Sequence, residues 1–307
     1  METKKKGEWC EITVPAKWNG ISIDSLLKIE WEIPKKLLHQ LRMEKGITVN
    51  GEQRRWNELL KEGDKLQVHM FMEEEYDVEP EYGELDVVYE DDHVLIVNKP
   101  EKMDTHPAEK GGMGTLANLV ASHFQMQGLE TKVRHIHRLD KDTTGGVVFA
   151  KHRIAGAIMD RLLMERKIKR TYAALVEGKV KGKQGTIDAA IGRDRHHATR
   201  RRVSPKGDQA ITFYKVEKYF KNQNVTFVTL QLETGRTHQI RVHMSYNGNP
   251  LVGDVLYGGQ TQYMSGQALH AMKINFLHPI TKEEIEVDVP FPAKLNHTMK
   301  EFQRMNA

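Results

Sequence analysis

An acidic stretch, Glu73-Glu74-Glu75-Tyr76-Asp77-Val78-Glu79-Pro80-Glu81, divides the chain into two unequal parts and so limits what it can fold into. Like charges repel and extend a backbone, and the stretch has little apolar periodicity. It reads as a linker, or else as the solvated edge of a domain. The division expected is a small module over residues 1–71, a linker over 72–84 and a larger domain over 85–307. A chain of 307 residues has room for one full catalytic domain beside a module of that size.

The first part reads as two short helices and a hairpin. Ile23, Leu26 and Leu27 have helical spacing. Pro34 suits the first position of a second helix, where its missing N–H is not needed. Leu37, Leu38 and Leu41 then share an apolar face, and Gly46 ends it. In Ile47-Thr48-Val49-Asn50-Gly51 an alternating run meets Asn-Gly, a strong signal for a tight hairpin. Gly63-Asp64 marks another turn before Leu66, Val68 and Met70 alternate as a strand. Lys35, Lys36, Arg42, Lys45, Arg54 and Arg55 gather positive charge around the second helix and hairpin. Such charge can neutralise phosphates or simply solvate a helix face.

The second part mixes strands and helices without strict alternation. Val87-Val88-Tyr89, Val94 to Val97, Val147 to Ala150, Tyr172-Ala174-Val176, Val225-Phe227 and Leu230-Leu232 are strand-like. Thr115 can cap a helix carrying Leu116, Leu119, Val120 and Phe124, and another helix is expected from about residue 153 to 166. This pattern predicts an α+β fold with a mixed sheet.

Composition narrows the function classes. The formal net charge of +4 is too small to establish a nucleic-acid partner by itself, so the distribution of charge must decide. A single cysteine, Cys10, makes no internal disulfide and fits a reducing cytoplasm. No apolar run approaches the roughly 20 residues that span a bilayer, and no membrane partner is expected. Metal binding is not expected either. His135 and His137 would share a strand face, and His238 and His243 fall in one predicted helix, but no zinc-binding His-Glu-x-x-His occurs. No cofactor motif is visible, and a monomer is the default expectation.

The most informative segment is His137-Arg138-Leu139-Asp140-Lys141-Asp142-Thr143-Thr144-Gly145-Gly146. It is a polar loop between a predicted strand and the buried strand at Val147, a common place for catalysis. Arg138 and Lys141 can keep Asp140 ionised, as a nucleophile requires, while Thr143, Thr144 and Gly145 turn the backbone. Taken alone, an Asp in such a loop is more often a turn residue. A second segment, Arg193-Asp194-Arg195-His196-His197-Ala198-Thr199-Arg200-Arg201-Arg202, is strongly basic and lies between strands. Arg193 and Arg200 in this arm are candidates for phosphate contact.

The string His-Arg-Leu-Asp-x-x-Thr-Thr-Gly resembles the active-site motif of the RluA family of pseudouridine synthases. Further segments match in order. Val87 to Asp92 with Val97-Asn98-Lys99-Pro100 is similar to the opening strand pair. Lys169-Arg170-Thr171-Tyr172 is similar to the tyrosine motif, and Leu232 to His243 to the arginine motif. Gly253-Asp254, Tyr257-Gly258, Leu269-His270-Ala271 and His278-Pro279 complete the pattern. The first part resembles the small alpha-L RNA-binding module, with Pro34-Lys35 where Ser-Arg is usual. Three departures stand in the second part: Thr144 for Ser, Glu101-Lys102 where a small residue and Gly are frequent, and Asp208-Gln209 for Gly-Lys.

The resemblance implies a pseudouridine synthase fold with a mixed, largely antiparallel sheet and a central cleft. It implies that uridine in structured RNA is isomerised, with Asp140 as the essential carboxylate. Tyr172 would stack on the flipped base and Arg236 would pair with Asp140. Arg138 would fill the space the uridine leaves, since the target base must quit its stack. His137, Thr143 and Ile240, with Lys35 and Lys36 in the module, would contribute to substrate binding. Pattern alone also allows Tyr172 as a core residue, Arg236 as a surface residue and Arg138 as a local partner of Asp140 or Asp142. The module directs the expectation to large-subunit ribosomal RNA, with transfer RNA as the alternative. Two rivals stand beside this reading: a hydrolase pairing Asp140 with Asp142, and a non-catalytic ribosome-binding factor.

Overall fold

Asn50 and Gly51 both have positive φ, +55° and +83°, as the primed turns that suit tight hairpins require. The turn is present, but the chain beyond it makes only a single bridge, Val49 with Glu52. The strand Ile47–Val49 instead pairs with Lys65–His69, after the second turn. In the computed structural model, which describes residues 1–306, the first part carries a four-stranded antiparallel sheet. Its order is Thr3–Lys6, Trp9–Thr13, Lys65–His69, Ile47–Val49. Alternation places Cys10, Ile12, Val14, Leu66 and Val68 in the core. The predicted first helix is a short turn, Ile23–Ser25, that widens into a π-helical segment, Leu26–Glu30. Pro34 caps the second helix, Lys35–Met43, one position earlier than its sequence suggested.

The second part is built on a ten-stranded sheet. From one edge the order is Gln184–Asp188, Ile211–Phe220, Val225–Leu232, Lys169–Glu177, Leu269–Leu277, Thr144–Ala150, Val94–Lys99, Val87–Glu90. Glu284–Asp288 and Arg134–His135 pair alongside. Every pairing is antiparallel except that of Leu269–Leu277 with Thr144–Ala150. The sheet is therefore mixed and largely antiparallel, as expected. Gly145 makes the parallel contact possible. Its φ is +114°, and a Cβ there would lie 2.5 Å from the backbone N and O of Ala271. Helices Leu116–Met126, Arg153–Met164 and Gln239–Tyr246 cover the sheet. A final helix, Ala293–Met305, packs Leu295 and Phe302 against Phe220 and Val225.

The two parts share one apolar cluster, in which Trp18, Trp31 and Ile33 join Ile154, Ile158 and Ile280. Trp31 Nε1 donates to Ile280 O at 3.1 Å, and Arg161 Nη1 to Glu32 O at 2.8 Å. The acidic stretch forms neither helix nor strand, yet it is not a free tether. Arg134 Nη2 donates to Glu74 at 2.6 Å, Tyr76 Oη donates to Leu129 O at 2.7 Å, and Val133 N donates to Asp77 at 3.0 Å. Glu74, Asp77 and Glu81 thus bond a cation and amides of the second part, and the stretch lies along that surface.

A histidine cluster also joins the parts. His93 Nδ1 is 2.9 Å from His152 Nε2, and Phe71 packs on both rings. His278 Nε2 meets Asp91 at 3.0 Å. Burial, then the charges of His278 and Lys151, push His93 down to about 3 against the partial opposition of Asp91. The unfolded chain therefore binds a proton on His93 that the native state refuses. Stability from this site is complete above about pH 6.5, the unfolded value, and drains away as pH falls toward the folded value. Thermal midpoints should drop between about pH 7 and about pH 5, and His93→Gln should flatten that drop. Parallel curves for the two proteins would refute the assignment.

Candidate active site

The loop carrying Asp140 is held from beneath. Lys99, fully buried at the end of its strand, donates Nζ to Pro100 O at 2.9 Å, Met103 O at 2.7 Å and Lys141 O at 2.9 Å. Burial pushes its ammonium down to about 8, partly offset by Asp104, Asp140 and Asp142. Thr105 clasps the backbone of Leu139 from both sides, accepting from its N at 3.1 Å and donating to its O at 3.0 Å. Thr143 N donates to Asp140 O at 3.0 Å, closing the turn. Thr144, the replacement for serine, keeps a hydroxyl contact 2.9 Å from His270 Nδ1. Lys102 adopts φ +63°, so the left-handed shape often supplied by glycine at this point is present without one.

Asp140 reaches a cleft of about 110 Å³ lined also by Arg138, Thr143, Tyr172, Arg236, His238, Ile240 and Arg241. Its carboxylate is 23% exposed, open enough to meet a substrate. The arginine that pairs with it is not Arg236. Arg241 Nη1 lies 3.2 Å from Asp140 Oδ2. Arg236 lines the cleft but donates Nε to Gln209 O at 3.1 Å. Gln239 explains the difference: it accepts from Arg236 N at 2.9 Å and Thr234 Oγ1 at 2.8 Å, and donates to Ile211 O at 2.9 Å. This pins the turn before the helix Gln239–Tyr246 and places Arg241 in its first turn, over the carboxylate.

Arg241 is aimed by a second acid. Asp254, whose side chain is 1% exposed, receives Nε at 2.7 Å and Nη2 at 2.9 Å. The guanidinium also lies 5.0 Å from the ring centre of Tyr257. Burial opposes its charge, but the hydrogen bonds and charges of Asp254 and Asp140 outweigh this and hold its pKa above the ordinary arginine value. His238 completes the group. It is not helical, as its sequence suggested, but caps the helix in a left-handed conformation with φ +58°. Its Nδ1 is 2.8 Å from Tyr257 Oη, which also accepts from Arg201 N at 2.9 Å. Its Nε2 stands 3.8 Å from Asp140 Oδ2. Burial depresses its pKa despite Asp140, so the ring is neutral near pH 7.

The other expected residues divide. Tyr172, 4% exposed, and Ile240, 4% exposed, are apolar walls of the cleft rather than parts of a distant core. Thr143 is buried there, with its hydroxyl accepting from Gln267. Arg138 is exposed at the mouth and has no carboxylate partner among the described residues, so the local salt bridge does not form. His137 is buried outside the lining, accepting weakly from Val148 N at 3.4 Å, and burial holds its pKa well below the ordinary histidine value. Arg193 belongs to a two-stranded ribbon, Ile191–Arg193 with Arg201–Val203, not to a featureless arm. Arg200 is tied to Asp194 at 2.6 Å. Lys35 and Lys36 are exposed at the start of their helix. Asp142 does not line the cleft, so the paired carboxylates of a hydrolase are not assembled. Among the described residues no group of three potential ligands could hold a metal, and no helix is long and apolar enough to cross a membrane.

One open carboxylate, locked by a buried arginine and faced by an aromatic wall, equips the cleft to hold a flat ring against a nucleophile or base rather than to cleave with two acids. The family model for RNA pseudouridylate synthase matches residues 93–246, and that for the RluD ribosomal pseudouridine synthase N-terminal domain matches residues 10–66. RNA pseudouridine synthase YhcT of Bacillus subtilis is 47% identical over 298 residues, spanning 97% of this chain and 99% of the relative. Ribosomal large subunit pseudouridine synthase D of Vibrio parahaemolyticus is 39% identical over 244 residues, 75% of this chain and 74% of the relative. Among solved structures, human RNA pseudouridylate synthase domain containing 1 superposes with a TM-score of 0.58 at 27% identity, covering 74% of this chain and 98% of that one. The chain belongs to the RNA pseudouridylate synthase family. It is an RNA-modifying isomerase that converts uridine to pseudouridine.

Proposed function

We propose that the chain isomerises uridines of large-subunit ribosomal RNA, with Asp140 as its catalytic carboxylate, acting in the cytoplasm as a monomer over domains bounded at residues 1–71, 72–84 and 85–307. The observation that carries the assignment of Asp140 is its position as the one carboxylate open to the cleft among the described residues, held by Arg241. The reaction breaks the carbon–nitrogen glycosidic bond, turns the uracil and joins its carbon five to the sugar; carbon five loses a proton and the freed ring nitrogen takes one up, so no net atoms are lost. Arg241 holds the Asp140 carboxylate in orientation throughout. Tyr172 and Ile240 hold the base in a site with little water, where Coulomb interactions are stronger. Arg138, exposed and unpaired at the mouth, is free to enter the stack that the flipped uridine vacates.

The ribosomal target is supported by the match of the first part to the RluD N-terminal domain and by the exposed Lys35 and Lys36 on it. The test is a map of pseudouridines in RNA from a strain lacking the gene. Loss of sites in large-subunit ribosomal RNA is expected, restored by the wild-type gene. Loss confined to transfer RNA would overturn the target, and release of free uracil by the purified protein would overturn the isomerisation.

A further inference from the structure

The basic ribbon carries charge that the protein itself leaves unbalanced. Arg193 and Arg201 stand directly opposite one another across its two strands, and like charges so placed weaken a strand pair. Among the described residues neither of them, nor Arg202, has a carboxylate partner, in contrast to Arg200. The Nε of Arg201 is buried with no hydrogen-bond acceptor. An anion arriving at the ribbon would relieve the repulsion.

A groove of about 710 Å³ runs beside the ribbon, within the ~300–1,000 Å³ range of ligand sites. Its lining includes Arg201 and Arg202, the paired Arg200 and Asp194, and Tyr246, Val255 and Tyr257. Tyr246 is 65% exposed and Val255 70% exposed, so apolar surface is open to solvent in the same groove as the unpaired guanidiniums of Arg201 and Arg202. Cations facing an accessible aromatic ring suit an unpaired nucleotide, whose phosphate meets the arginines while its base stacks on the ring. The groove is linked to the catalytic cleft through one hydrogen bond. Tyr257 lines the groove, and its hydroxyl bonds His238, which lines the cleft beside Asp140.

We propose that this groove binds an unpaired nucleotide of the substrate RNA, adjacent along the strand to the uridine held at Asp140. The proposal rests on the reading that Asp140 receives the target uridine. Through Tyr257, a nucleotide drawn in by the arginines also presses on the contact that orients His238 toward Asp140.

The test measures affinity of the full-length chain for large-subunit ribosomal RNA taken from a strain lacking the gene, in the Asp140→Asn background so that binding is read without turnover. Tyr246→Ala should weaken binding about tenfold, the scale of one lost base stack, and Tyr246→Phe should restore it. Arg202→Ala should lower the slope of log affinity against log salt by about one, and Arg202→Lys should keep it. The expected combination is both losses and both rescues, with thermal midpoints unchanged. Equal binding by Tyr246→Ala, no rescue by Phe, or an unaltered salt slope would each overturn the proposal. Turnover by the Asp140-containing protein on the same RNA is read separately. Its absence would count against the proposed function, whereas normal turnover with an indifferent Tyr246 would sink the groove alone.

Discussion

Asp140→Asn is expected to stop pseudouridine formation, with a fall of at least ~10⁴-fold, the scale seen when an indispensable catalytic side chain is removed. Asparagine has nearly the shape of aspartate, and its carbonyl oxygen can still accept from Arg241 Nη1, now at 3.2 Å from the carboxylate. Arg241 keeps both bonds to Asp254, and the turn closed by Thr143 N uses the backbone of residue 140 rather than its side chain. The fold should therefore persist, and RNA should still bind. What is lost is the negative charge and the capacity to form or break a bond at the nucleotide. Release of tritium from RNA carrying uridine labelled at carbon five measures the step directly, because that hydrogen leaves when carbon five joins the sugar. A variant that keeps its affinity and thermal midpoint but releases no tritium fits the assignment. A rate within tenfold of the wild type would remove Asp140 from the chemistry.

Much of this site was legible because its residues lie in short continuous strings. Asp140 and its turn are local, and Tyr172 follows from the strand that carries it. The arginine partner was not legible in the same way. Arg236 and Arg241 both occur in one string, and their roles depend on where the helix begins and on the buried amide of Gln239, which pins the preceding turn. Helical pitch alone puts the two guanidiniums on different faces, but it does not say which face meets residue 140, about a hundred positions away. Asp254 stood in the sequence only as part of the Gly253-Asp254 match, because its partner is chosen by tertiary packing. Lys99 looked like the end of a strand, and only the three carbonyls that converge on it reveal its task.

The fold shows the same division. The mixed sheet followed from its strand-like runs, whereas the Asn-Gly turn was recognised but not the identity of its partner strand. The first two strands were not among the expected elements, although Cys10, Ile12 and Val14 alternate into the core. The final helix was missed too, despite Leu295, Thr298 and Phe302 at helical spacing behind Pro292. His137 shows the opposite case: a motif position next to Arg138 and Asp140 is a buried side chain that does not line the cleft.

Arg241→Met should separate the electrostatic role of that arginine from its structural one. Methionine fills much of the volume but leaves Asp254 buried and unpaired, a loss of about 3–5 kcal/mol that corresponds to a fall in Tm of roughly 5–8 °C in a chain of this size. Turnover should also fall by about 10²–10³-fold, the scale of losing one preorganised charge contact to the reacting group. Adding Asp254→Asn to the methionine variant removes the stranded charge, so much of the lost Tm should return. Activity should not return, because Asp140 still lacks its cation. Arg236→Met is the control for the rival partner: Arg236 is anchored to a carbonyl and not to Asp140, so its loss should lower turnover far less and leave Tm nearly unchanged. Measured together, Tm and kcat give each substitution a distinct signature. If the double variant regained activity along with stability, Arg241 would act on the reaction only by keeping the site folded, and the ion pair with Asp140 would be incidental to catalysis.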